Sequence, residues 1–154
     1  MMVSSWPPMM SMAPIIQANL AAIGFDAKIE TMEVPRYWDE VWGTSNFDLT
    51  VMYWLSPLAD PDDFVTNTYA TTSAVNVQKG GSKEMDDLMM AAKSAVTKAE
   101  RKELYRQQQE LSLTDMDVIP VVNGWVLTAH TNQLKNFKPM RTGFLKTLKD
   151  AWFD

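Results

Sequence analysis

The segment Phe47–Phe64, FDLTVMYWLSPLADPDDF, decides how the rest of the chain is read. Its first half predicts a strand, because Phe47, Leu49, Val51, Tyr53 and Leu55 alternate with Asp48, Thr50, Met52 and Trp54. Past the entry residues both faces are largely apolar, which fits a central strand covered on two sides. A rigid turn and the capped start of a helix follow. In an open α/β sheet, ligands sit beyond the carboxyl ends of the strands, where loops lead into helices. The stretch from Trp54 through Ser56 and Pro57 to Asp60 is therefore the first place to look for a small-molecule site.

Working outward, Val3–Trp6 predicts a short strand ended by Pro7 and Pro8. Ser11 is placed to cap a helix with Met12, Ile16, Leu20 and Ile23 at helical spacing, and Gly24 closes it. Asp26–Val34 predicts a second strand. Pro35 opens a short helix with Trp38, Val41 and Trp42 on its apolar side, closed by Gly43. Strand, helix and strand with short links are the pattern of a parallel sheet.

Downstream, Asp60 and Pro61 start a helix of about two turns, and the polar run Thr71–Gly81 predicts a surface loop. Ser82 caps a helix with Met85, Leu88, Met89, Ala92 and Val96 on one face. Thr97 and Glu100 form a capping box for the next helix, which buries Leu104, Tyr105, Gln108 and Leu111. Val118–Val122 predicts a strand, placed at an edge by Pro120. Asn123–Gly124 then leads into Trp125–His130 as a hairpin. From Thr131 the pattern weakens.

The 154 residues are enough for one domain or one lobe, and a net charge of −5 argues against nucleic acid as a partner. The chain has no cysteine, so neither disulfides nor thiolate chemistry is available. No apolar run approaches the roughly 18–20 residues of a membrane helix, and no signal peptide opens the chain. Five methionines stand in the first twelve residues, pointing to a start inside a longer reading frame.

Asp60, Asp62 and Asp63 suggest an acid/base or metal cluster. Their order, Asp-Pro-Asp-Asp, fits a helix start better, with Asp60 as N-cap and the other two beside the positive helix end. His130 stands alone, without a partner in sequence, and reads as structural. Gly80–Gly81 lacks the lysine and hydroxyl of a phosphate loop. No cofactor or metal is implied. Six tryptophans are many for this length, and Trp54 is the one placed to stack on a ligand.

Taken together, LAAIGF (Leu20–Phe25), KIETMEV (Lys28–Val34), FDLTVMYW (Phe47–Trp54), ADPDDF (Ala59–Phe64), EMDDLMMAA (Glu84–Ala92), ERKELYRQQQELSLTD (Glu100–Asp115) and VIPVV (Val118–Val122) resemble, in order and spacing, the C-terminal portion of the family 5 extracellular solute-binding proteins. These are the receptors of oligopeptide- and dipeptide-type ABC importers. The resemblance covers about residues 13–154. It implies an α/β fold of the periplasmic-binding-protein type II kind, with a mostly parallel sheet and flanking helices. Residues 1–130 would form lobe two, and residues 131–154 a closing segment that packs on a first lobe absent from this sequence.

Further implications are a periplasmic location, a hinge-closing receptor that is no enzyme, and delivery of a small solute to membrane permease subunits. The solute would be a peptide, a sugar or an opine-like compound. Peptide-binding members place an aspartate three residues after the strand-end tryptophan, where it pairs with the peptide amino group. In this sequence that position is Pro57, while Asp60 falls on the helix cap, so the acid that binds the amine does not carry over. Two other readings remain open from the residues alone: a truncated product that binds nothing tightly, and a small carboxylate-dependent hydrolase using Asp60 or Asp62.

Overall fold

The computed structural model describes residues 1–54, 56, 58, 60–124, 126–140 and 143–154. The chain divides into two compact units, Met1–Trp54 with Val77–Lys79, and Leu55–Asn76 with Gly80–Asp154.

The first unit is built on a parallel sheet. Strand β1 (Met2–Ser4) lies between β2 (Glu30–Met32) and β3 (Thr50–Val51), with Val3 opposite Thr31 on one side and Val51 on the other. Alternation along β1 sends Met2 and Val3 to opposite faces. On one face Val3 and Val51 bury against Met9 and Ala13 of helix α1 (Pro7–Ala22). On the other, Met2 and Met32 bury against Tyr37 of helix α2 (Val34–Trp38), together with Val41 and Val77. A sheet with helices on both faces is an α/β arrangement. The Tyr37 hydroxyl shares a 2.8 Å hydrogen bond with Thr50 Oγ1 and donates to the Val51 carbonyl at 2.9 Å, so the buried ring also pins β3. Burial pushes its phenol pKa up.

Several sequence expectations need correction here. The central strand is β1; the segment expected to be central contributes only Thr50–Val51, at the edge of the sheet, and Tyr53 is 42% exposed. Leu55, the expected end of that strand, lies outside the described residues. Helix α1 starts at Pro7 rather than after Ser11. Two prolines in its first turn cost nothing, because the amides they lack have no intrahelical acceptor. Ser11 lies inside the helix and its hydroxyl donates to the Pro7 carbonyl. After α2 the chain widens into a π-helical turn, Asp39–Thr44, and the residue that turns left-handed at its end is Ser45, not Gly43.

The second unit is helical. Helix α3 (Pro61–Tyr69), α4 (Lys83–Ser94) and α5 (Lys98–Asp115) carry the expected caps: the side chains of Asp60, Ser82 and Thr97 accept from the amides of Asp62, Met85 and Glu100. The return bond of the last cap is shifted by one residue, since Glu100 accepts from the Val96 amide rather than that of Thr97. Tyr69, Ala70, Met85 and Met89 form the core, with Val65, Leu111 and Val118 against it. Val96, expected on the buried face of α4, lies past its end and is exposed.

The Thr71–Gly81 loop is tied down at both ends. Asp86 accepts from the Thr71 amide and hydroxyl, and Asp117 accepts from the Gly81 amide. Asn76 Nδ2 donates to the carbonyls of Ala70 and Gly80. Asn76 and Val77 are buried, which a polar run does not announce.

No strand occurs among the described residues of 116–133, so the expected strand Val118–Val122 and the hairpin after it are absent; Trp125 lies outside the described residues. The strands of this region are instead β4 (Leu134–Lys135) and β5 (Trp152–Phe153), an antiparallel pair.

Candidate functional site

The expected site falls at the carboxyl end of β3 and in the segment that follows. Its residues divide between the two units, and each half has its own geometry.

In the first unit, Trp54 lies face to face with Trp42, their ring centroids 5.7 Å apart and the planes at 12°. Trp38 meets the edge of Trp42 at 5.4 Å, and Tyr37 meets Trp38 at 5.2 Å. The π-helical turn after α2 therefore supplies the partner of the strand-end tryptophan. Spacing marked Trp38 and Trp42 only as an apolar face. At the same sheet edge Trp6, two residues past β1, packs edge to face on Tyr53, two residues past β3, at 4.9 Å. The carboxyl ends of two neighbouring parallel strands thus carry two half-exposed rings side by side. Neither was singled out from sequence; a link between them becomes visible only once β1 and β3 are known to pair.

In the second unit, Ser56 donates from its one hydroxyl either to Asp63 Oδ2 or to the Leu58 carbonyl, each at 2.7 Å. Asp60 caps α3, accepting the Asp62 amide on Oδ1 at 2.9 Å. It is also gripped by Arg101, whose Nη1 donates to Oδ2 at 2.9 Å and Nη2 to Oδ1 at 2.6 Å. The hydrogen bonds from Arg101 hold the Asp60 carboxyl below the usual carboxylate range, and the cap bond adds to this. Asp62 accepts from Thr66 and lies 3.7 Å from Lys93. Asp63 accepts from Asn67 as well as Ser56. Pro57 lies outside the described residues.

Each aspartate of the group is therefore engaged by a donor of the protein itself. Among the described residues no group of three or more His, Cys, Asp or Glu side chains is placed to hold a metal ion. His130 is exposed, its Nδ1 3.0 Å from the Thr131 carbonyl oxygen and its ring against Phe137. No helix of the described chain is long and apolar enough to cross a membrane.

Comparison with known proteins agrees with this arrangement. Residues 1–76 match the family model of the bacterial extracellular solute-binding proteins, family 5, middle region. The di/tripeptide-binding protein 3 of Pseudomonas aeruginosa (strain UCBPP-PA14) is 29% identical over 129 residues, covering 82% of this chain and 24% of that protein. The ABC transporter-associated periplasmic binding protein DppA of Helicobacter pylori, solved with the peptide STSA, superposes with a TM-score of 0.73 at 26% identity, over 99% of this chain and 30% of that one. A dipeptide-binding protein of Pseudoalteromonas sp. SM9913, solved with Met-Leu, shares the fold with a TM-score of 0.81 at 20% identity, over 99% of this chain and 31% of that one. The chain thus spans well under half the length of the relatives it matches. The relatives named are binding proteins, and the resemblance seen in the order of motifs is the one these matches return. Over residues 1–76, the chain is thus similar to the family 5 bacterial extracellular solute-binding proteins, and over most of its length to peptide-binding proteins.

Proposed function

We propose that this chain supplies one wall of the solute cleft in a periplasmic receptor that delivers peptides to the permease of an ABC importer. The observation that carries this reading is the family match across residues 1–76, which takes in the three parallel strands and the segment Trp54–Asp60 leading away from them. Peptide-bound relatives support peptides as the solute class over sugars or opines. We read Trp54 and Ser56 as solute-facing, and Pro57 as standing where an amine-binding acid would stand. Asp60, with both carboxylate oxygens held by Arg101, borders the cleft and sets its edge rather than receiving a charged solute itself. The role is binding without chemistry, since the carboxylates a hydrolase would need are tied up as caps and ion pairs.

On this reading the opposite wall comes from the remaining part of a receptor of family length, and residues 131–154 form the segment that closes onto it. A peptide held by one wall keeps most of its hydration and the protein gains little against the entropy of capture. Calorimetry should show Met-Leu binding a receptor of family length that carries this segment, with weak heat or none for the 154-residue chain alone. Tight binding of a disaccharide in place of Met-Leu would replace the peptide assignment. Tight binding of Met-Leu by the chain alone would remove the two-wall reading.

A further inference from the structure

Asp60 and Arg101 are 41 residues apart, yet the carboxylate and the guanidinium meet fork to fork. Half-exposed ion pairs are usually worth little, and Arg106 on the same helix is an example, bridging Glu103 and Glu110 along an open face. The Asp60 pair differs in three ways. It joins two elements 41 residues apart, where the equally bidentate pair of Arg106 with Glu103 lies within one helix, so here the fork fixes the orientation of one helix start against another. Arg101 Nη2 also donates to the Tyr105 hydroxyl at 2.8 Å, with the guanidinium carbon 5.1 Å from the centroid of that nearly buried ring, so the cation is itself held in place. Finally, the carboxylate it grips is the N-cap of α3.

The segment before α3 hangs from that first turn. Ser56 reaches forward to Asp63, and Asp60 reaches forward to the Asp62 amide. Whatever orients the first turn of α3 thereby orients Ser56 and Asp60. We propose that Arg101, backed by Tyr105, is a positioning residue for the solute-facing segment, a role that rests on the solute-binding reading above. Arg101 touches no solute. It holds the start of α3 against the first turn of α5 and so fixes the turn from which Ser56 and Asp60 are held. Lysine could supply the charge at that site but not the two parallel N–H bonds.

The test uses the 154-residue chain with four substitutions: Arg101→Met, Arg101→Lys, Asp60→Asn and Arg106→Gln. Asp60→Asn keeps an N-cap acceptor and removes only the charged fork; Arg106→Gln is the control for a surface ion pair on α5. Hydrogen exchange followed by mass spectrometry should show the amides of 56–66 exchanging several-fold faster in Arg101→Met and Asp60→Asn. Arg101→Lys should fall between them and the unaltered chain, and Arg106→Gln should change nothing there. Saturation-transfer signals of Met-Leu, read on a receptor of family length carrying the same substitutions, should weaken in the same order.

Unchanged exchange at 56–66, or a rise spread equally through α4 and α5, would overturn the positioning role and leave a merely structural pair. Faster exchange with undiminished Met-Leu signals would overturn it too. If Met-Leu gives no signal with any form of that receptor while exchange responds as described, the tether stands and the peptide reading falls.

Discussion

Trp42 and Trp54 stack with their planes 12° apart, one from the turn after α2 and one from the end of the segment carrying β3. Two indoles this close and nearly parallel couple electronically. Trp42→Phe and Trp54→Phe should each remove the same paired feature from the near-ultraviolet circular dichroism, and the double substitution should remove no more than either. Separate, additive losses would mean that the rings do not stack in solution.

If Trp54 also faces solute, its loss should weaken binding beyond what it does to the fold. In a receptor of family length, Trp54→Ala should lower Met-Leu affinity by more than its change in melting temperature accounts for. An unaltered affinity would make Trp54 a packing residue only.

Gly81 has φ of +90°, and a Cβ there would run into the Tyr69 carbonyl oxygen. Gly81→Ala should therefore destabilise by about 1–3 kcal/mol, the usual range for a side chain forced into left-handed backbone. For a chain of this size that is a fall in melting temperature of several degrees. Gly124 has open space around its α-carbon, and Gly124→Ala should leave the temperature unchanged.

Gln108 is 2% exposed, and neither its amide nitrogen nor its amide oxygen has a partner among the described residues. Burying an unpaired amide costs free energy that an apolar side chain of similar volume avoids. Gln108→Met should leave the urea midpoint unchanged or raise it. A midpoint lowered by more than about 1 kcal/mol equivalent would place a tightly held water on that amide.

Acid should weaken the protein in a defined window. Hydrogen bonds from Arg106, and then from Gln107, hold the Glu103 carboxyl at about 2, against an ordinary value of 4.5. Asp60 is likewise held below 3.8 by Arg101. Both carboxyls are depressed in the folded state, so their contribution is complete above the unfolded values and is lost as pH falls through the folded ones. Melting temperature should drop between pH 4.5 and about 2, and Glu103→Gln with Asp60→Asn should flatten that drop. An equally steep fall in the double variant would assign acid sensitivity to other groups.

The helical half of the fold was legible because caps are local. Asp60, Ser82 and Thr97 sit a few residues before an apolar stripe, and a hydroxyl or carboxylate there has one economical use. Strand boundaries were harder. Alternation over Phe47–Leu55 reports a segment that is partly covered, and the same pattern suits an irregular stretch lined by other side chains. Leu49, 41% exposed, shows how little of that alternation became sheet. Val118–Val122 misled in the same way: Ile119, Val121 and Val122 are apolar and β-branched, yet they stand exposed with no strand beside them. Of the site, Trp54 and the cap at Asp60 could be read from the loop itself. Arg101 could not, since a helix rich in charges gives no sign of which one turns back on a residue 41 positions earlier.

Val77 has a practical bearing on any attempt to dissect this molecule. It belongs to the core of the first unit, beside Met2, Met32, Tyr37 and Val41, although the chain has left that unit at Trp54 and leaves it again after Lys79. Expressing residues 1–54 by themselves would open a hole the size of a valine in the sheet's inner face. A circularly permuted or spliced design that carries 77–79 along is the smallest piece able to keep that face closed.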